Sequence, residues 1–320
     1  MKAAILSLLE RVPGLRLLWR QGRRRLGFAA PPPPPPRQEP VADPPPPPPP
    51  QPKPRAKLDP PDPEEVALLA DQLWGEGFLL PGGAAEANRL ANLLPLSPAT
   101  TLLLLGADAG GAANAIAVTR GAWVAAQQDN LLLAERMALK LRPLGKRATV
   151  ATWDAEEPFF RHRYHHHALA LEALRRCPAA RLLPALAAAL KPGGQLVLLE
   201  LVANEAGGRN ASLLARWVEL EGRAKPPEAA SIMEAALVAA GFTLNVREDV
   251  GARHGAAVMA GWVRRVEALR LGNGLPRGAA AVALVTEAER WLLRQRLMQA
   301  GVLRLMRWHC TRGPERGGGL

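Results

Sequence analysis

The stretch that most limits the fold is Thr101-Leu102-Leu103-Leu104-Leu105-Gly106-Ala107-Asp108-Ala109-Gly110-Gly111. Its apolar run reads as a strand covered on both faces, as at the centre of a parallel sheet. The small residues that follow let the backbone turn sharply and approach a ligand closely. Ala112 to Val118 then reads as a helix whose N-terminal amides point at that turn. Strand, small-residue turn and helix, in that order, is the arrangement that holds nucleotide-like cofactors. One position departs from it: Asp108 stands where such loops usually carry another glycine.

The same alternation continues along the chain. Strands are expected at 122–126, 148–152, 164–170 and 195–202, with helices at 130–141 and 179–190 between them. Asp129 is placed to cap the first of these helices. Strands alternating with helices indicate a doubly wound parallel sheet, with the ligand at the C-terminal strand ends. Helices at 212–222 and 228–240 precede a sixth strand at 242–248. Helices near 256–271 and 279–299 precede a seventh at 302–309. The two late strands are expected as an antiparallel pair, giving a mostly parallel α/β sheet of seven strands with an antiparallel edge strand. Upstream, Asp62 and Pro63 suit the cap and first position of a helix over 64–73, and Ala84 to Leu94 reads as another helix.

Proline separates this domain from the N-terminus. The runs Pro31–Pro36 and Pro44–Pro50 make 29–63 a disordered, semi-rigid spacer with polyproline II character. Residues 64–312 form the main domain and 313–320 a flexible tail. Residues 1–28 combine Ile5, Leu8, Leu9, Val12 and Trp19 with Arg16, Arg20, Arg23, Arg24 and Arg25. Such a basic amphipathic segment suits peripheral contact with an anionic membrane; a partner helix, a solvated tail or a transit peptide are the alternatives. The net charge of +12 permits lipid, nucleic-acid or phosphorylated partners without choosing among them. Cys177 and Cys310 are too few for a disulfide framework, which fits a reducing, cytoplasmic compartment. No run reaches the roughly 18 apolar residues of a membrane span.

Three local sequences within this element order resemble class I S-adenosylmethionine-dependent methyltransferases. Lys191-Pro192-Gly193-Gly194-Gln195-Leu196-Val197-Leu198 resembles the turn and strand after that family's fourth helix, and Gly106 to Gly111 lies where the family has its glycine loop. Gly75-Glu76-Gly77-Phe78 with Pro81-Gly82-Gly83 is similar to the lid of phosphoethanolamine N-methyltransferases. The resemblance implies a Rossmann-like domain that binds S-adenosylmethionine through Gly106, Ala107, Asp108 and Gly110. It further implies Gln127 at the ribose, Trp153 and Asp154 at the adenine, and Gly75, Gly77 and Phe78 closing over the methyl group. Glu172, just past the fourth strand, would face the acceptor as catalytic residue, with Glu200 a rival. The acceptor would be an N or O atom on a small polar or lipid-headgroup molecule.

Three departures open a second reading. Leu104 replaces an acidic residue of the first strand, Asp108 a glycine, and Gln127 the carboxylate that holds the ribose. A neutral acceptor in place of a charged one lowers a hydrogen bond from about 1.5–3 to about 0.5–1.5 kcal/mol, or roughly tenfold in affinity. The alternative is therefore a pseudo-methyltransferase that acts as a tethered binding or regulatory module. Other chemistries fit less well. His165 and His167 of a strand point to one face and His166 to the other, so with His162 they do not converge on a metal. The loop lacks the second glycine of a dinucleotide fingerprint. Trp262, Trp291 and Trp308 sit in apolar stretches and are read as core, and no basic–aromatic interleaving marks a nucleic-acid groove.

Overall fold

The computed structural model describes residues 60–204, 210–272 and 275–314. The expectations for residues 1–28, for 29–59 and for 315–320 lie outside the described residues. Helix α1 (Pro63–Trp74) begins as its sequence dictates, with the Glu64 amide donating to the Asp62 carboxylate at 2.9 Å. Helix α2 (Gly83–Ala91) follows. Strand β1 (Thr101–Gly106) then leads to α3 (Gly111–Arg120), and β2 (Trp123–Gln128) to α4 (Leu131–Leu141) and β3 (Ala148–Thr152). Strand β4 (His165–Leu171) leads to α5 (Ala179–Ala189) and β5 (Leu190–Ala203). The remainder is α6 (Ala211–Leu220), α7 (Ala230–Ala239), β6 (Phe242–Asp249), α8 (Gly251–Leu271), α9 (Gly278–Gln299) and β7 (Leu303–Arg312).

The strands form one sheet in the order β3-β2-β1-β4-β5-β7-β6. Strands β1 to β5 pair in parallel, and β7 runs antiparallel to both neighbours, β5 and β6. The order reverses between β1 and β4, which opens a crevice at the C-terminal ends of those strands. Alternation along β1 sends Leu102 and Leu104 into a core with Ile116, and Leu103 and Leu105 into a second core with Leu182 and Leu186. Burial on both faces explains the unbroken leucine run, each side chain contributing about 1.5–3 kcal/mol.

Two boundaries differ from the sequence reading in ways that matter below. Strand β2 continues two residues past Ala126, ending at Gln128. Its helix is accordingly capped by Asn130, whose side chain accepts the Leu133 amide at 3.1 Å, not by Asp129. Meanwhile β6 and β7 are joined through the long helices α8 and α9. A third cluster packs Leu69, Leu73 and Trp74 of α1 against Val258 and Trp291. Trp74 and Trp291 meet edge to face, their ring centroids 5.2 Å apart. This contact holds α9 across the C-terminal end of the sheet.

Candidate active site

A cavity of about 330 Å³ occupies that end. Gly106 and Ala107 line it at the end of β1, Gln128 and Asp129 at the end of β2, Trp153 in the turn after β3 and Glu172 just past β4. Arg290, Trp291 and Arg294 of α9 also line it. Asp154 lines an adjoining, shallower recess with Asp129 and Arg176. Of the residues expected from sequence, the cavity therefore gathers Gly106, Ala107, Trp153 and Glu172.

The loop after β1 is braced from within. Gly106 has φ 104°, and a Cβ there would stand 2.0 Å from the Leu171 carbonyl oxygen, so no other residue fits. Asp108 does not face the ligand edge as the resemblance implied. It is 1% exposed, and its carboxylate accepts the Ala112 and Ala113 amides at 2.8 and 3.1 Å. The start of α3 has orphan amides and no other side-chain cap, and Asp108 turns inward to satisfy them. Burial pushes its carboxyl up to about 6, against the lowering effect of these amides.

The residue that β2 presents to the cavity also differs by one from the residue expected at the ribose. Gln127, expected there, is not among the residues that line the cavity; Gln128, the last residue of β2, is buried and lines it. The cause is the period-two alternation of a strand that runs further than its apolar pattern suggests. Gln128 is fully engaged: Nε2 donates to Asp108 O at 2.7 Å and Gly106 O at 3.3 Å. Its Oε1 accepts the Asp129 and Asn130 amides at 2.9 and 3.3 Å. Asp129 lies beside it and supplies a carboxylate to the cavity wall, 3.7 Å from Arg176.

The segment read as a lid packs on the back of this loop. The Gly77 carbonyl accepts the Ala109 and Gly111 amides at 2.9 and 3.0 Å, while the Gly77 amide donates to Asp71 Oδ1 at 2.7 Å. The Phe78 ring rests on Gly111, where a Cβ would stand 2.7 Å from it. Gly75 joins the same brace through its amide to Asp71 O, and Gly110 abuts Lys140 of α4. Gly75, Gly77, Phe78 and Gly110 are thus supports of the loop, and Leu79 is the residue of this segment that reaches the cavity. Local glycine content marked the turn but not the direction in which it folds.

Glu172 sits in the left-handed region, φ 48°, and is pinned. Its carboxylate accepts Arg294 Nη1 and Nη2 at 2.9 and 2.6 Å, with the two side chains 11% and 2% exposed. Burial pushes its carboxyl up, but Arg294, with Arg223 and Arg290 further off, outweighs burial and holds it below the usual carboxylate range. Glu221 is likewise held low, burial being outweighed by Arg290 at 3.5 Å and Arg175 at 3.7 Å. Arg290 also pairs with Glu287. Glu200, the rival, lines a separate cavity with Arg223 at 3.4 Å; burial raises its carboxyl. Sequence reasoning missed the α9 wall. Its mark is the i, i+3, i+4, i+7 spacing of Glu287, Arg290, Trp291 and Arg294, which puts one face of the helix toward the cavity.

No family model and no curated protein matches the sequence. Comparison with solved structures matches the fold to S-adenosylmethionine-dependent methyltransferases. Phosphoethanolamine N-methyltransferase 2 of Haemonchus contortus, in complex with S-adenosyl-L-methionine, superposes with a TM-score of 0.66 at 17% identity over 78% of this chain. The chain spans 57% of that enzyme's length. The cyclopropane synthase MmaA2 of Mycobacterium tuberculosis gives a TM-score of 0.59 at 16% identity, covering 71% of this chain and 83% of that one. The [4+2]-cyclase SpnF gives 0.58 at 19% identity, covering 78% and 93%. The fold is therefore that of the seven-stranded methyltransferases.

Proposed function

We propose that this chain binds S-adenosylmethionine in the cavity at the C-terminal edge and transfers its methyl group to an N or O atom of a small polar acceptor. One observation carries the reading. The ends of β1, β2, β3 and β4 converge on a single cavity at the switch point of a 3-2-1-4-5-7-6 sheet. The residues present fit an adenosyl cofactor. Gly106 and Ala107 leave the loop without bulk, Asp129 offers a carboxylate for ribose hydroxyls, and the buried Trp153 Nε1 has no protein partner. Bound there, the cofactor would supply a methyl group already activated by its sulfonium. The protein's task is then alignment and exclusion of water. Glu172, kept ionised by Arg294, is a poor proton store and a good anchor; its role would be to orient the acceptor.

The second reading, a pseudo-methyltransferase, is favoured by the closed wiring of the loop. The amides of Ala107, Asp108, Ala109, Gly111, Ala112 and Ala113 all donate within the chain, and both ends of the Gln128 amide are used. Calorimetry with S-adenosylmethionine and S-adenosylhomocysteine decides between them. Micromolar binding that Asp129→Asn weakens about tenfold supports catalysis; absence of binding at millimolar ligand overturns it.

A further inference from the structure

The opposite edge of the sheet, where the parallel strands begin, has a charge pattern that the cavity does not explain. The segments that build it are 95–101, 117–124, 141–149, 161–167, 187–195, 240–243 and 311–314, and they contain no Asp or Glu. The same segments carry eight Lys and Arg residues, among them Arg120, Arg142, Lys146, Arg147, Arg161 and Lys191. Among the described residues of a chain with 29 acidic residues, such an exclusion is a property of this face, not of composition. Arg142, Lys146 and Arg161 are exposed. Arg147 donates to the Gly121 carbonyl, Arg312 to the Leu190 carbonyl, and Lys191 Nζ lies 2.8 Å from His166 Nε2.

Two aromatic rings stand at the same edge, at the starts of β2 and β4. Trp123 is 42% and Tyr164 39% exposed. Each is already covered on one side by a cation, Arg147 at 5.2 Å from the Trp123 ring and Arg161 at 3.9 Å from the Tyr164 ring. The Trp123 indole N–H donates to the Pro98 carbonyl at 3.1 Å. A guanidinium covers one face of each ring, and β1 stands between the two, so they form no continuous platform for the successive bases of a single strand. Half-exposed Trp and Tyr beside cations, at the starts of strands, suit the headgroup layer of an anionic bilayer.

We propose that this edge docks the domain on an anionic lipid surface. The proposal is independent of methyl transfer. The strands end roughly 20 Å away, at about 3.3 Å per residue, so a docked domain holds its cavity on the side turned to water. Whatever small molecule the cavity takes would then arrive from solution, not from the plane of the membrane.

Flotation of the full chain with phosphatidylcholine vesicles, with and without about 30% phosphatidylglycerol, tests this. The wild type should float only with the anionic vesicles and lose partitioning as salt rises past about 0.3 M. The double variant Lys146→Gln/Arg161→Gln should partition roughly 25-fold less, at about fivefold per charge, with an unchanged melting temperature. Arg304→Gln, on β7 away from this edge, should partition as wild type. The proposal is overturned if the chain ignores anionic vesicles, or if the double variant floats as wild type does, which would assign binding to residues 1–28. It is overturned equally if a labelled 20-nucleotide RNA binds this edge more tightly than vesicles do, with the same double variant abolishing it.

Discussion

Arg294 and Glu172 meet through two parallel hydrogen bonds across 122 residues of chain, joining α9 to the end of β4. Removing one partner leaves the other buried and uncompensated. Arg294→Ala should cost about 3–5 kcal/mol in denaturant unfolding, and Arg294→Met/Glu172→Gln should recover much of it. Equal losses for the single and double variants would refute a coupled pair.

Gly106→Ala should not yield folded protein. Its Cβ would lie 2.0 Å from Leu171 O in a backbone region that alanine avoids, and the clash is with backbone that cannot give. Recovery of soluble Gly106→Ala protein with a wild-type melting curve would show that the turn is wrongly described.

Asp108→Gly separates stability from ligand affinity. Loss of the cap should destabilise by about 0.5–2 kcal/mol, while freeing the Ala112 and Ala113 amides at the loop. S-adenosylhomocysteine should then bind several-fold more tightly by calorimetry. Weaker binding would mean that Asp108 supports the ligand through the loop it holds. By contrast Gln128→Glu, which sets a carboxylate against the Gly106 and Asp108 carbonyls, should weaken binding, although it restores an acidic residue to the end of β2.

Acid should loosen the opposite end of the sheet. Burial holds His165 and His167 down to about 4, helped by Arg161 and His166 near the first and by His166 and His309 near the second. Between that value and the unfolded pKa near 6.5, the unfolded chain binds more protons, so stability falls as pH drops through this window. The melting temperature should decline by several degrees from pH 7 to pH 4.5. His165→Asn/His167→Asn should flatten the decline; an unchanged slope would place the acid sensitivity elsewhere.

How far the sequence carries depends on the range of the interaction. The Leu102–Leu105 run, the Asp62 cap and the small residues from Gly106 to Gly111 act within a few positions, and the strands and helices they imply are present. The end of β2 lies beyond the pattern because Gln127 and Gln128 offer no apolar contrast to fix which faces inward. The inward turn of Asp108 leaves no mark in the sequence because its partners are backbone amides, which every sequence contains. The Glu172–Arg294 pair is out of reach of any local pattern; only the face formed by Glu287, Arg290, Trp291 and Arg294 marks α9 as a wall. What could be read was periodicity, and what could not was orientation.

The placement of β7 between β5 and β6 has a temporal side. During synthesis β6 emerges with no neighbour to pair with, because the strand between it and β5 is made only after α8 and α9. Until residues 303–312 leave the ribosome, both β5 and β6 present unpaired edges, and Trp308 is missing from the core that α5 and α7 share. Residues 303–312 thus close two edges at once: a chain that lacks them keeps β5 and β6 open to pairing and is a natural target for chaperones and proteases.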